Sequence, residues 1–290
     1  MSDVRQSSGY AQFIKNLGWQ VEKLGKGNVF IKKFPLIGSL IKIQRIQPPI
    51  PFEEIDKLAK KHRAFQIILE PAFCPSPLTP HPNYGLLKSP FIPTKTLILD
   101  LKQPENEIFD SFTKNKRRDI RIADRNKLII KEGTPEEFFF LKKRFLLKRK
   151  ILPLGTKKEI LLLTKAFGPE KSKILIAYRP QSSHLPQIPL AGILLLFHDK
   201  TAYYWQAAAS SEGKKLLAPT LLLWEAIKIA KEKGSEIFDL EGIYDERFPQ
   251  NKSWLGFTKF KEGFGGEPLL YPQPLVKTNI LNILKSKYLI

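Results

Sequence analysis

Seven prolines crowd one stretch in the first third of the chain, at positions 71, 75, 77, 80, 82, 90 and 93. Proline fixes its own φ angle and has no backbone N–H, so this density excludes the interior of a helix or a strand. The stretch therefore marks a linker or a crossing between domains. It divides the 290 residues into two predicted domains, residues 1–94 and residues 95–269.

Both parts show the periodicities of mixed α and β structure. In the first part we predict helices over Ser7–Leu17 and from Pro51, and strands over Trp19–Leu24, Val29–Lys33, Leu40–Ile46 and Phe65–Leu69. In the second part we predict helices over Glu105–Asn126, from a capping box at Thr134, over Lys157–Phe167 and over Pro219–Lys233, and strands over Thr96–Leu101, Leu128–Lys131, Ile174–Tyr178, Leu190–Phe197, Thr201–Ala208 and Glu236–Leu240.

The order of these elements predicts the fold class. Strands that pair as hairpins, then a helix, then a further strand favour an acyltransferase-type α/β (α+β) sheet over a doubly wound one. The first part repeats this order in a rougher form. We therefore predict a tandem pair of related domains.

The formal net charge of +20 is the least ordinary property of the composition. It suggests a polyanionic partner, which could be RNA, an acidic membrane surface or a phosphorylated substrate. A lysine-rich genome is the alternative explanation, because lysine is abundant throughout the sequence.

The sequence disfavours a disulfide, a metal site, secretion and a membrane-spanning segment. Cys74 is the only cysteine, so no disulfide can form within the chain. The four histidines show no metal-ligand spacing, and we expect neither a metal nor a cofactor. No signal-peptide or membrane-spanning run is apparent. We expect a cytoplasmic protein that can touch the inner face of the membrane.

A strand ending in carboxylates and an aromatic-lysine segment together predict a polar cleft. Asp239 and Glu241 are two apart, so on a strand they share a face about 7 Å from each other and could accept a proton. In the second segment, Phe257, Phe260 and Phe264 repeat at helical spacing. A helical wheel places Lys261 at the edge of that apolar face.

Both elements also have simpler interpretations. In the simpler interpretation, Lys261 covers apolar surface with its aliphatic stem and keeps its ammonium in water. Lys259, on the same helix, is predicted to point to solvent. Carboxylates at a strand end, here Asp239 and Glu241, more often accept hydrogen bonds from backbone or from lysines.

Two further groups are candidates for binding. Arg117, Arg121 and Arg125 form one stripe on the basic helix, where they either contact phosphate or make a solvated face. Tyr203 and Tyr204 point to opposite faces of their strand, so one of them could line a substrate pocket.

One expected motif is absent. Acyltransferases that use coenzyme A hold its pyrophosphate on the amides of a glycine-rich turn before a long helix. In this chain the corresponding turn, Ser210–Pro219, has a single glycine, preceded by a glutamate. A coenzyme A donor is therefore disfavoured.

Five segments in order and spacing resemble the Fem family of peptidoglycan-bridge aminoacyltransferases. They are Lys116–Ala123, Thr201–Tyr204, Ala218-Pro219 with Leu223–Ile227, Asp239–Ile243, and Phe260–Gly266. The resemblance covers roughly Ser7 to Tyr271 and is strongest after Thr94. The chain departs from the family at Glu241, where members often have a small or aromatic residue.

The resemblance implies tandem GNAT-like domains with mixed, mostly antiparallel sheets and flanking helices, the tail 270–290 packing on the first domain. It implies transfer of an amino acid from aminoacyl-tRNA to the stem-peptide amine of a lipid-linked or nucleotide-linked peptidoglycan precursor. Lys261 would stabilise the charged intermediate, and Phe260 beside it would contact substrate. The helical arm that some members insert for tRNA is not visible.

We therefore hypothesise a Fem-like aminoacyltransferase in which Lys261, Asp239 and Glu241 are catalytic. Two alternatives remain open at this point. One is a GNAT N-acyltransferase with an acyl-CoA donor, and the other is a non-catalytic RNA-binding relative.

Overall fold

The computed structural model describes residues 2–74, 81–180 and 187–279, and these residues form two compact units. The N-terminal unit consists of Ser2–Lys95, Tyr244–Lys252 and the described residues from Leu269 onward. The central unit consists of Thr96–Ile243 and Ser253–Pro268. The sequence division assigned residues 244–252 to the second domain, whereas their contacts group them with the N-terminal unit.

Thirteen strands occur in the described residues. They are β1 (Gln20–Leu24), β2 (Gly27–Phe34), β3 (Gly38–Ile46), β4 (Ala64–Pro71), β5 (Gly85–Leu86), β6 (Lys95–Asp100), β7 (Ile129–Glu132), β8 (Ser172–Tyr178), β9 (Pro189–His198), β10 (Thr201–Ala209), β11 (Ile237–Gly242), β12 (Glu267–Leu270) and β13 (Leu275–Thr278).

Nine α-helices occur in the same residues. They are α1 (Ser8–Asn16), α2 (Phe52–Lys61), α3 (Glu105–Asp110), α4 (Lys114–Arg125), α5 (Pro135–Lys148), α6 (Thr156–Lys171), α7 (Ser211–Lys215), α8 (Ala218–Glu232) and α9 (Leu255–Glu262). None of these helices is long and apolar enough to cross a membrane.

The N-terminal unit is built on a six-stranded sheet in the order β1-β2-β3-β4-β13-β5. Its pairs are antiparallel except β3 with β4, which are parallel and are joined through α2. Helix α2 buries Ile55 and Ala59 in a core with the sheet. Strand β13 pairs with β4, so residues 275–278 complete this sheet, while residues 280–290 of the predicted tail lie outside the described residues.

The central unit is built on a seven-stranded sheet in the order β12-β6-β11-β10-β9-β8-β7. The strands β8, β9 and β10 form an antiparallel meander, and β10 then pairs in parallel with β11 through α7 and α8. Helix α8 is buried along most of its length because Leu222, Leu223, Ala226 and Ala230 all face the core. The predicted fold class, mixed and mostly antiparallel sheets flanked by helices, is confirmed.

Two parts of the chain differ from the sequence prediction. The helix predicted over Glu105–Asn126 is two helices, α3 and α4, because Thr113 caps the second one by accepting from the Lys116 N–H, and its own N–H donates to Gly263 O at 3.0 Å. The proline stretch contains the two-residue strand β5, which pairs with β13. The prolines at 75, 77 and 80 lie outside the described residues.

Candidate active site

The parallel strands of the central unit separate after three residue pairs. β10 and β11 pair at Thr201–Tyr203 with Ile237–Asp239, and no pair follows. The corresponding strands of the N-terminal unit, β3 and β4, stay paired from Ser39 to Ile46. Beyond these pairs the backbone groups of β10 and β11 are no longer bonded to each other, so the point of separation is the candidate site.

Strand β11 has a bulge against β6 between Asp239 and Gly242, and its pairing with β6 resumes at Gly242. Within it, Glu241 has a φ of 57°, in the left-handed region that non-glycine residues rarely adopt. The Glu241 N–H donates to Asp239 Oδ1 at 2.7 Å, and the Thr96 hydroxyl donates to the same oxygen. The bulge interrupts the simple alternation from which a shared face was predicted for the two carboxylates.

Lys261 lies at the point where the two strands separate. Its Nζ donates to the carbonyl oxygen of Gly242 at 2.7 Å and lies 5.6 Å from the centre of the Tyr204 ring. The Phe257 ring is 5.1 Å away on the third side. The ammonium of Lys261, a residue of α9, thus contacts both β10 and β11.

The environment of Lys261 changes its proton affinity. The residue is 7% exposed, and burial lowers the pKa of its ammonium to about 8, although the charges of Glu241 and Asp239 oppose this shift. The helical wheel predicted a position at the edge of the apolar face. Lys261 is deeper than predicted: the buried residues of α9 are Thr258 and Lys261, whereas Phe257 and Phe260 are only partly buried.

Lys116 is a second buried lysine beside this helix, and it lies outside the arginine stripe predicted from the sequence. Its Nζ lies 4.2 Å from the centre of the Phe260 ring and 4.9 Å from that of Phe264, and burial lowers its pKa against the charge of Asp119. A signal was present in the sequence, because Lys116 shares a helical face with two apolar residues, Ile120 and Ala123.

The two tyrosines lie close to this opening. Tyr204 belongs to the core cluster of the central unit, and burial raises the pKa of its hydroxyl. Tyr203 is buried as well and pairs with Asp239 across the parallel ladder. A β-bulge follows, in which the pairing with β9 passes from Tyr204 to Gln206 and skips Trp205.

The three arginines of α4 are on the other side of that helix from Lys116. Arg117 donates to Asp110 Oδ1 at 3.1 Å and to its carbonyl oxygen at 3.0 Å, and Arg121 lies 5.6 Å from the Phe109 ring. Arg121 and Arg125 are exposed. Phosphate binding by this stripe stays a prediction.

The arrangement suits chemistry that develops negative charge on an oxygen. Gly242 accepts one of the three N–H groups of the Lys261 ammonium, which leaves donors for an oxyanion. Asp239 and Glu241 provide carboxylates near the same ammonium. In the part of the chain that the structure describes, no three His, Cys, Asp or Glu side chains are grouped so that they could hold a metal ion.

A family comparison matches this region. Residues 156–269 match the model of the FemAB family, and that range contains β10, β11 and α9 but not α4. No curated protein matches the sequence.

Three solved structures are similar to the chain over nearly its whole length. FemX is 15% identical with a TM-score of 0.77, covering 99% of this chain and 94% of its own. The C-terminal domain (DUF2156) of a putative lysylphosphatidylglycerol synthetase from Agrobacterium fabrum is 13% identical with a TM-score of 0.59, covering 97% and 91%. A tandem GNAT protein from the clavulanic acid biosynthesis pathway is 10% identical with a TM-score of 0.51, covering 88% and 81%.

At these identities the structural likenesses show the fold, which is GNAT-like. Together with the FemAB match, they confirm the resemblance to the Fem family that the sequence predicted.

Proposed function

We propose that this chain is an acyltransferase of the Fem type that moves an amino acid from aminoacyl-tRNA to the stem-peptide amine of a peptidoglycan precursor. The observation that carries the proposal is the buried ammonium of Lys261 at the opening between β10 and β11, inside the region that matches the FemAB family. A cation fixed in a water-poor cleft is suited to stabilise an oxyanion, because it needs no reorganisation during the reaction.

In the proposed reaction, the acceptor amine attacks the carbonyl carbon of the ester that links the amino acid to the tRNA ribose. A C–N bond forms, and the tetrahedral intermediate places its oxyanion against the free N–H groups of Lys261. Collapse breaks the C–O bond, so the ribose hydroxyl leaves and takes up a proton while the amine loses one.

Asp239 or Glu241 is the proposed acceptor of the amine proton. The Asp239 carboxylate also accepts hydrogen bonds from the Thr96 hydroxyl and from the Glu241 N–H. Tyr203, Tyr204 and Phe260 would then shape the pocket around the reacting groups.

The proposal also sets the surroundings of the reaction. Charged tRNA is found in the cytoplasm, so we place the reaction there. A lipid-linked precursor would require contact with the inner face of the membrane, and a nucleotide-linked precursor would not.

The test is incubation of the purified protein with charged tRNAs and with lipid-linked and nucleotide-linked precursors, with products read by mass spectrometry. Lys261→Ala is expected to lower transfer by about a hundredfold or more. The matched control is Lys259→Ala, at an exposed position two residues away on α9.

Three results would argue against the proposal. Full activity of Lys261→Ala would mean that transfer does not require the ammonium. Acyl transfer from acyl-CoA without any tRNA would favour a GNAT N-acyltransferase. RNA binding without transfer to any precursor would indicate a non-catalytic relative.

A further inference from the structure

The connection between α5 and α6 exposes a group of large apolar side chains. Ile151, Leu152 and Leu154 are 50%, 71% and 83% exposed, and we call these three residues the apolar tip. Leu147 in α5 and Leu161 in α6, on either side of them along the chain, are exposed as well. Single exposed leucines are common on protein surfaces, but several of them on one short connection mark an interaction surface.

The backbone holds the apolar tip in a defined conformation. Helix α5 ends in a Schellman motif, in which the Lys150 N–H donates to Leu147 O at 2.9 Å and the Ile151 N–H donates to Leu146 O at 3.0 Å. Lys150 has the left-handed φ of 58° that this motif requires. Helix α6 begins at Thr156, so the tip lies on a short connection between two helices.

Cations flank the apolar tip on both sides. Arg149 and Lys150 precede it, Lys157 and Lys158 follow it, and all four are exposed. None of the three lysines forms an ion pair with a carboxylate of the described residues. The Arg149 guanidinium lies 4.4 Å from the centre of the Phe145 ring. The charges around the tip are therefore open to an anionic partner.

Lys157 and Lys158 occupy positions where a helix does not favour cations. They lie in the first turn of α6, where the unpaired N–H groups and the helix dipole already carry partial positive charge. Among the described residues no side chain caps this helix end, and Glu159 is the only acidic residue of the first turn. These two lysines do not stabilise the helix, whereas a negatively charged surface at its end would attract both them and the dipole.

We infer that residues 149–158 bind the surface of an anionic phospholipid membrane, with the apolar tip inserted among the acyl chains and the four cations on the headgroups. The aliphatic tip distinguishes this partner from RNA, because single-stranded nucleic acid is bound by cations together with aromatic side chains that stack on the bases. It also distinguishes the membrane from a second copy of the chain, which would bring like charges together.

The connection lies at the edge of the central sheet that carries the candidate site. Lys148, in the last turn of α5, donates from its Nζ to Ser211 Oγ at 2.9 Å, and Ser211 follows the end of β10. Strands β10 and β11 are parallel, so both end at this edge, where Lys261 contacts Gly242. Membrane binding through the apolar tip therefore turns this edge of the sheet towards the lipid headgroups.

The first experiment measures cosedimentation of the full chain with vesicles of phosphatidylcholine, with and without about 30% phosphatidylglycerol. The test variant is the triple change Ile151→Ser, Leu152→Ser and Leu154→Ser, which keeps every cation. Its matched control is Leu86→Ser with Leu270→Ser, at exposed positions of β5 and β12. The triple variant is expected to lose about tenfold or more in partitioning onto the anionic vesicles.

Unchanged vesicle binding by the triple variant, or an equal loss in its control, would overturn the inference. Loss of a dimer or of an RNA complex in the triple variant, with vesicle binding unchanged, would assign the apolar tip to a second copy or to RNA instead. Melting temperatures of all variants verify that each is folded.

The second experiment tests the charges. Lys157→Ala with Lys158→Ala is expected to lower partitioning onto the anionic vesicles by about tenfold. The matched control is Lys57→Ala with Lys60→Ala, which removes two exposed cations of α2. Equal losses in the two double variants would mean that only overall charge matters, and this would overturn the assigned surface. Equal binding of the wild type to vesicles with and without phosphatidylglycerol would exclude an anionic lipid as the partner.

The third experiment measures insertion directly. Cys74 is the only cysteine, so Cys74→Ser allows a polarity-sensitive fluorophore to be attached at one new site, either Leu154→Cys or Lys165→Cys. Lys165 is exposed and lies nine residues into α6, about 14 Å along the helix axis. On addition of anionic vesicles, the fluorophore at position 154 is expected to shift to shorter wavelength and to be quenched by acyl-chain nitroxides.

The fluorophore at position 165 should show neither change. No shift at position 154, or equal shifts at both positions, would overturn insertion of the apolar tip. None of the three experiments involves transfer, so they test the membrane surface separately from the proposed reaction.

Discussion

Lys261 has a pKa of about 8 in the folded chain, against 10.5 for an ordinary lysine, and this difference affects stability as well as chemistry. Between these two values the unfolded chain holds a proton that the folded chain has released. Unfolding therefore takes up a proton in this window, and the free energy of unfolding rises with pH across it. Below about pH 8 both states are protonated, and the full cost of burying the charge is present.

We predict that replacement of this lysine by Lys261→Met removes that dependence. Between about pH 7 and about pH 10, the free energy of unfolding of the wild type minus that of the variant should rise by about 2–3 kcal/mol. Denaturant titrations of both proteins across this range measure the difference, and Lys259→Met is the control on the same helix. A constant difference between wild type and Lys261→Met would mean that the ammonium is not desolvated.

At the scale of elements, the β11 bulge combines strain with charge at one residue. Glu241 adopts a φ of 57°, a conformation that costs a residue with a side chain about 1–2 kcal/mol and costs glycine little. Its carboxylate meanwhile raises the proton affinity of Lys261. A glycine at this position would relieve the strain but would remove the carboxylate.

Two substitutions separate these effects. Glu241→Gly is expected to be about 1 kcal/mol more stable than Glu241→Gln, because only the first relieves the left-handed backbone. Both should lower the pKa of Lys261 further and impair transfer to the same degree, since each lacks the carboxylate. Chemical denaturation and the transfer assay measure the two properties, and a Gly variant less stable than the Gln variant would contradict the argument.

Local pattern was sufficient to predict most elements of both sheets. Helical spacing anticipated α1, α2 and α8, and the capping box at Thr134 is formed, with its side chain accepting from the Glu137 N–H. Apolar runs likewise anticipated β8, β9 and β10. These features depend on residues that are neighbours along the chain, so a single sequence contains their cause.

Other features depend on contacts between distant segments and were missed. The break before α4 is fixed by the hydrogen bond from Thr113 to Gly263, 150 residues later. Trp205 is skipped because of pairing with β9, and Glu241 is displaced because of pairing with β6. Lys261 was expected at the edge of the apolar face, but it is buried against Gly242 of β11 and Tyr204 of β10, contacts that periodicity does not predict.

At the scale of the whole molecule, the two units share one order of elements. β1, β2, β3, α2 and β4 in the N-terminal unit correspond to β8, β9, β10, α8 and β11 in the central unit. Their parallel strands differ, since β3 and β4 remain paired where β10 and β11 separate. The proposed acyl transfer is therefore assigned to the central unit, and the first unit keeps the sheet without that opening.

The N-terminal unit is assembled from three segments that Arg247 connects. This guanidinium pairs with the buried Asp245 at 2.7 Å and donates to the carbonyl oxygens of Tyr271 at 2.9 Å and Thr94 at 3.3 Å. Burial alone would raise the pKa of the Asp245 carboxyl, but the bonds from Arg247 and from the Thr94 hydroxyl hold it below its ordinary value. A fragment that ends at residue 94 would lack both other segments.

We predict that Arg247→Met lowers the free energy of unfolding by about 3 kcal/mol, because it leaves the Asp245 carboxylate buried without its cation. The double change Asp245→Asn with Arg247→Met should cost less than this single change, since no uncompensated charge then remains. Lys252→Met, an exposed position in the same segment, is the control. Urea unfolding of the four proteins measures these differences. A double variant that is less stable than Arg247→Met would mean that Asp245 stabilises the unit through its bonds to Thr94, independently of the arginine.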